Sequence, residues 1–350
     1  MYRLKLFFSH FTVFFLVAFL FTGCEHKRQI DVQKYQALVD VAERAICEDD
    51  YRTALDNYGL AFRQIERPFG KDVYNAALAA HAAGYRAERD AYLQQLINGS
   101  DDLGFIKSTF LSNFMSVQEW DILESKRKRE YDAEFRAEMT QIGNSDQLFR
   151  KDYDNYTDTI NKLRIVNLNR LLEITEVQRF PAQMEMGYSE NLRTQPHHSV
   201  LYQTAQRRSS DKTTTDLEST IRRAVKKGRL DPELAVLYME VQDDREKGRF
   251  ETYTTRQYSH PLLPDSMSSA VWVPTLSDSE HAEINEIRRQ WYSDSIEDIQ
   301  IKTKFLESTD WPFIFTSVRK SVTGISDDIS AEEAVEAYLQ FTGGMKKLEQ

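Results

Sequence analysis

Residues 31–98 echo themselves at an interval of 34: Ala42 recurs as Ala76, Ala45 as Ala79, Tyr51 as Tyr85 and Tyr58 as Tyr92. The stretch is rich in alanine and leucine, and its helix breakers come late, at Pro68, Gly70 and Gly84. Such an echo narrows the fold sharply. Small residues at fixed positions let the two helices of a hairpin approach closely, while large aromatics fill the gap to the next hairpin. Asp49-Asp50 before Tyr51 and Ala83-Gly84 before Tyr85 fall where the turn inside each hairpin belongs. The second copy is less regular, because Glu88 stands where Ala54 stood. Two copies are fewer than the ~3 that a stable stack requires, so Leu103 to Met115 and the following helix are expected to cap it.

Thirty-four residues is the period of the tetratricopeptide repeat, and the chain resembles that family with Ala42, Ala54, Tyr58 and Ala61 on its small and large positions. The resemblance implies a concave face that binds a peptide or partner protein. It implies no catalysis.

From Val117 onward the pattern is helical and charged, with Tyr131, Phe135, Met139 and Ile142 forming one apolar stripe. Gly143-Asn144-Ser145-Asp146 interrupts it, and Asp146 is well suited to cap the next helix. That helix carries Tyr153, Tyr156, Ile160, Leu163, Leu171, Ile174 and Val177 at helical spacing, and Phe180-Pro181 ends it. Asp216–Lys227, Pro232–Glu246 and Asp278–Trp291 read as further helices, and Ser330 with Glu333 forms a capping box for a last one. Arg249–Tyr258 favours extended structure. The fold class is therefore mainly α: helical hairpins, then a second helical domain with at most a small β-hairpin.

Short pieces of the second half occur in an order that resembles a bacterial domain-of-unknown-function family, the one numbered 6624. Asp146-Gln147 with Arg150 fits its Asp-Gln-x-x-Arg signature, and Phe180-Pro181 followed by Gly187 fits its aromatic-Pro and Gly turn. His197-His198, Asp244-Arg245 and Arg288-Arg289 fit its histidine, Asp-Arg and Arg-Arg positions. The family's Tyr-Gly-Thr-Gln segment becomes Tyr253-Thr254-Thr255-Arg256 here. The resemblance brings no established reaction.

The N-terminus bears on location. Arg3 and Lys5 precede an apolar run from Leu6 to Phe21, and Thr22-Gly23 lead to Cys24. The run falls short of the ~20 residues that a membrane span needs. Leu20-Phe21-Thr22-Gly23-Cys24 resembles the lipobox of bacterial lipoproteins. That resemblance implies a signal cut before Cys24 and acylation (palmitate) of its thiol and new amino terminus. The expected location is the bacterial cell envelope, with the membrane held through lipid on Cys24. Cys24 and Cys47 are the two cysteines, so a disulfide framework and a four-cysteine zinc site are excluded. Without residues 1–23 the chain carries 43 Lys and Arg against 55 Asp and Glu, which argues against a nucleic-acid partner.

These signals divide the chain into a signal peptide (1–23), tetratricopeptide-like hairpins (24–115), a mainly helical domain (116–310) and a C-terminal extension (311–350). Asp146, Gln147, Arg150, His198, Asp244, Arg245 and Arg288 form a candidate pocket: arginine forks suit carboxylate or phosphate, and a histidine beside a carboxylate suits general-base work. No metal motif or cofactor fingerprint is present. Arg207 to Arg229 carries eight basic residues against three acidic ones, read as a solvated helix face with Leu217, Ile221 and Val225 inward. The expected function is an anchored scaffold that grips an unknown protein partner with its repeats. The alternative is an envelope hydrolase using the candidate pocket.

Overall fold

The computed structural model describes residues 30–177, 179–207, 217–247, 255–259, 271–318, 320–324, 330–342 and 345–348; Cys24 and the apolar run before it lie outside them. The fold is mainly α, as the periodicities require. Helices α1 (Val32–Cys47) and α2 (Tyr51–Ala61) form one hairpin, and α3 (Gly70–Ala82) and α4 (Arg86–Gly99) form the next. The side chains of Asp31 and Asp50 cap α1 and α2 by accepting from the amides of Lys34 and Thr53. Both inner turns close alike. Asp49 (φ 57°) and Gly84 (φ 78°) take the left-handed conformation, and the following amides, Asp50 and Tyr85, bond back to Ala45 and Ala80 at 2.8 Å.

These equivalent turns lie 35 residues apart (85 − 50), one more than the sequence echo. Leu93 and Leu96 therefore take the places of Tyr58 and Ala61, and all four are fully buried. Tyr92 stays at the rim, edge-on to Phe62 with ring centroids 5.8 Å apart. Glu88 is exposed, and buried Arg89 stands where Ala54 does. Burial, not residue type, sets the register of the second hairpin.

Helices α5 (Gly104–Asn113) and α6 (Val117–Ser125) close the array where a cap was expected, with Trp120 of α6 fully buried. Then follow α7 (Ala133–Gln147), α8 (Tyr153–Val177), the short α9 (Gln183–Met186), α10 (His198–Arg207), α11 (Leu217–Lys226) and α12 (Pro232–Lys247). Helix α7 runs straight through Gly143–Asp146, so Asp146 is no N-cap; the break comes at Leu148-Phe149, where Phe149 has φ 141°. Gly143 serves close approach instead. A Cβ there would lie 2.3 Å from the Pro196 carbonyl oxygen, so only glycine lets the 195–198 turn lie against α7. Tyr156 and Val177, placed on the apolar stripe of α8, are exposed, whereas Ile160, Leu171 and Ile174 are buried.

Strand β1 (Thr255–Ser259), which overlaps the stretch expected to be extended, pairs antiparallel with β2 (Val271–Pro274), which lies in the region read as loop, so the β structure exceeds the small hairpin expected at most. This pair is the centre of a larger sheet. After α13 (Asp278–Gln290) and α14 (Ile296–Ser308), β3 (Lys320–Gly324) adds to β1 in parallel; after α15 (Ala331–Thr342), β4 (Met345–Lys347) adds to β2 antiparallel. The order is β3-β1-β2-β4. Helix α14 packs on α1, and the extended residues after it lie across the helical hairpins. There Asn75 of α3 grips the backbone of Ile314 twice, donating at 2.7 Å and accepting at 2.9 Å. Trp311 stacks on Phe114 and Phe313 on Tyr51.

One apolar cluster runs from Val32 to Phe315, crossing residues 115 and 310 without a break; a smaller one under the sheet joins Val271, Val273, Ile284, Ile296, Ile299 and Leu348. Among the described residues no helix is long and apolar enough to cross a membrane.

Candidate functional site

Helix α10 is wedged among α7, α8 and α12, and its first turn opens on a cleft of about 760 Å³. Gln147 from the end of α7, Gln195, His198 and Tyr202 from the turn and start of α10, and Leu237 and Tyr238 from α12 line it, with Asp101, Asp102 and Glu190 also on its wall. A second hollow of about 640 Å³ shares Asp101, Arg136 and Thr140 with it and extends the groove to Tyr131 and Leu148.

Four of the seven residues singled out in the sequence meet here. Gln147 and His198 line the cleft, and Asp146 and Arg150 brace it from behind. The Arg150 guanidinium donates to the Asp146 carboxylate at 3.0 Å, to the Asp146 carbonyl at 2.9 Å and to Gln203 Oε1 at 2.9 Å. Gln147 donates to the same carboxylate at 2.8 Å. The arginine fork is thus already committed to protein acceptors. Arg136 is similarly engaged, donating to the Met186 carbonyl at 2.9 Å and lying 3.6 Å from Asp101.

The polarity of His198 is set by one bond: its Nδ1 accepts from the Gln195 amide at 3.2 Å. In the neutral ring the proton then sits on Nε2, so the nitrogen left for a ligand is a donor. Burial holds the ring neutral, with its pKa pushed down to about 3. His197 behind it is fully buried against Phe180 and His198, and burial holds it well below the usual histidine range. Gln195 also lines the cleft, is 4% exposed, and has no hydrogen-bond partner for Oε1 among the described residues. The cleft therefore offers a fixed donor and carboxylates at its mouth, with the unpaired Gln195 oxygen buried behind its wall.

Arg288 does not join them; it is bound to Glu233 at 2.9 Å and to the Asp294 carbonyl at 2.5 Å. Asp244 and Arg245 fall on α12, but their side chains, like Cys24, lie outside the described part.

A denser polar constellation escaped the sequence altogether. Lys71 and Lys302 are completely buried among carboxylates contributed by α1, α3, the start of α12 and the turn before α14. Lys71 meets Asp72 at 2.7 Å, Glu43 at 3.7 Å and Asp231 at 3.8 Å. Lys302 bonds Glu43, and Asp294 at 2.6 Å. Glu233 accepts from Ser293 and from the Asp294 amide as well as from Arg288. Burial raises Glu43 to about 7 and Asp231 to about 6 against the pull of the lysines. At Asp294 burial acts the same way, but the charge of Lys302 and the bonds from Lys302 and Ser317 outweigh it and hold the carboxyl at about 2. Oxygens of Asp40, Glu43 and Asp294 lie within 4.8 Å of one another, a spacing that suits a metal ion, but the Lys302 ammonium already bridges two of them. These residues lie as far as 259 positions apart, from Glu43 to Lys302, and follow no motif; only charges beside apolar runs, such as Lys71-Asp72 before Val73-Tyr74, hint at them.

No protein-family model, curated protein or solved structure matches this chain.

Proposed function

We propose that this chain is an envelope protein, tethered through lipid on Cys24, that binds a polar ligand in the His198 cleft without transforming it. The observation that carries this reading is the Gln195 amide bonded to His198 Nδ1. A hydrolytic histidine needs the opposite arrangement: an acceptor on Nδ1, a free lone pair on Nε2 and a pKa near the working pH. Here the ring donates from Nε2, and its pKa near 3 makes it a poor base. A ligand with a carbonyl for His198 and an amine for Asp101 and Asp102, such as a short peptide with a free amino end, fits this set. The helical hairpins are less suited to a partner where the chain's own residues 311–315 already pack on Asn75 and Tyr51.

The test is a thermal-shift screen of the full chain in detergent against tripeptides with free amino ends, followed by mass spectrometry of the mixtures. A ligand at a hundred times its Kd stabilises by about 2.7 kcal/mol, a shift of several degrees. His198→Phe, which keeps the ring and loses the donor, is expected to abolish that shift. Cleaved peptides, or no shift with any peptide, would overturn the proposal.

A further inference from the structure

Helix α11 carries its apolar residues Leu217, Ile221, Ala224 and Val225 inward and leaves Arg223, Lys226 and Lys227 exposed. Arg222 is spent elsewhere, over the Trp291 ring at 4.0 Å and on Glu218 at 2.9 Å. The position of this basic end is the informative fact. A Cβ built on Gly228, just past Lys227, would lie 3.6 Å from Ile30 and from Val32 and 3.4 Å from Ile65. The described chain therefore begins beside the basic end of α11. The Asp31 amide, bonded to the Gln64 carbonyl at 2.9 Å, fixes the loop that carries exposed Arg63 to the same pole.

We propose that this pole is a membrane-facing surface, and that Arg63, Lys226 and Lys227 contact anionic phospholipid headgroups. The inference rests on the lipid tether of Cys24 put forward above. Two independent observations converge on it. Five residues separate Cys24 from Ile30, so even a fully extended link keeps the pole within about 20 Å of the acylated cysteine. The pole is also basic on a chain of net charge −10: Lys34, Arg63, Lys226 and Lys227 are exposed there, against Asp31 and Glu66. Each basic residue held at an anionic surface strengthens its association about five-fold. A tether alone would leave the body free to tumble; a basic pole beside the tether fixes which face looks at the membrane.

The test places an environment-sensitive fluorophore at exposed Gln33, through Gln33→Cys in a Cys47→Ser background, in the full-length protein reconstituted into vesicles. Vesicles of phosphatidylcholine alone are compared with vesicles that also contain phosphatidylglycerol. The expected result is a blue shift with phosphatidylglycerol only. High salt or the triple variant Arg63→Glu, Lys226→Glu, Lys227→Glu should remove it, while the variant's melting temperature stays unchanged because all three side chains are exposed. Equal emission in both vesicle types, or a shift that survives the triple variant, overturns the proposal. The intact mass of the same sample reports acylation separately. An unacylated chain that still shifts with phosphatidylglycerol would overturn the tether and leave the basic pole standing.

Discussion

Replacing Lys302 with methionine keeps the length of the side chain and removes the ammonium that Glu43 and Asp294 share. Lys302 is 0% exposed and Asp294 lies 2.6 Å from it, so solvent takes no part in compensating the loss. Removing one partner of a buried ion pair costs about 3–5 kcal/mol, because the other charge stays buried and unpaired. For a chain of this size that is a fall in Tm of roughly 10 °C at pH 8. The size of the loss depends on pH in a defined direction. Without Lys302, Glu43 and Asp294 escape their unfavourable burial by taking up protons, and Glu43 already sits at about 7 with the lysine present. The gap in Tm between Lys302→Met and wild type should therefore narrow as pH falls from 8 to 5. Thermal unfolding followed by circular dichroism on the full chain, at both pH values, measures it. An equal gap at pH 8 and pH 5, or no gap at pH 8, would refute the ionised network.

Two raised carboxyls favour the fold at pH 5 over pH 8, whereas His197 and His198, held neutral in the fold, weaken it as pH falls below the ordinary histidine range, so the carboxyl effect is read against a variant that lacks it. Glu43 and Asp231 have folded pKa values raised to about 7 and about 6, so each carboxyl's contribution is fully present below its unfolded value and is lost as pH rises through the folded one. For Glu43 alone that is about 3 kcal/mol, read as a Tm difference between Glu43→Gln and wild type that changes from pH 5 to pH 8 in favour of the variant. Asn75→Ala leaves both the amide and the carbonyl of Ile314 buried without a partner, and should cost about 2–4 kcal/mol in chemical denaturation; a loss under 1 kcal/mol would mean that the 311–315 segment does not depend on the clamp. Gly143→Ala drives a methyl group into the Pro196 carbonyl and should cost about 1–3 kcal/mol while shifting the His198 turn, seen as changed protection of residues 195–199 in hydrogen exchange. Asp146 is bound to Arg150 inside α7 and caps nothing, so Asp146→Asn should destabilise nearly as much as Asp146→Ala; a normal melting temperature for Asp146→Asn would restore the capping role read from the sequence.

What the sequence disclosed follows from what periodicity can carry. The turns at Asp49-Asp50 and Ala83-Gly84, the inward face of α11 and the capping box at Ser330 are local, so spacing and residue type suffice to place them. The one-residue slip between the echo and the second hairpin was hidden, because matching tyrosines does not reveal that Leu93, next to Tyr92, is the residue packed inside. Gly143 looked like a helix breaker because its purpose lies 53 positions away, at Pro196. The same limit applies to the site. Gln147, Asp146 and Arg150 are neighbours in sequence and travel together, and His198 joins them; Arg288 carries the same chemistry but is drawn to Glu233. Helix α14 and strands β2, β3 and β4 escaped notice: the strands are only four, five and three residues long and depend on their neighbours for pairing.

The buried charges and the cleft are linked through one element. Helix α12 places Asp231 and Glu233, at its start, among the lysine-carboxylate contacts, and Leu237 and Tyr238, about one turn further, on the cleft wall. A 16-residue helix tied at one end by Arg288, Ser293 and the Asp294 amide has little freedom to tilt. On the opposite wall, α7 is fixed by the Gly143–Pro196 approach and by Arg150. Both walls are thus braced by contacts between residues 53 or more positions apart, which form only once distant helices have packed. A cleft framed in this way is preorganised: the donor on His198 is in place before a ligand arrives, so little ordering cost falls on binding. That economy suits recognition of a small polar molecule better than a catalytic cycle, in which a histidine must change protonation state and this one is held neutral by its surroundings.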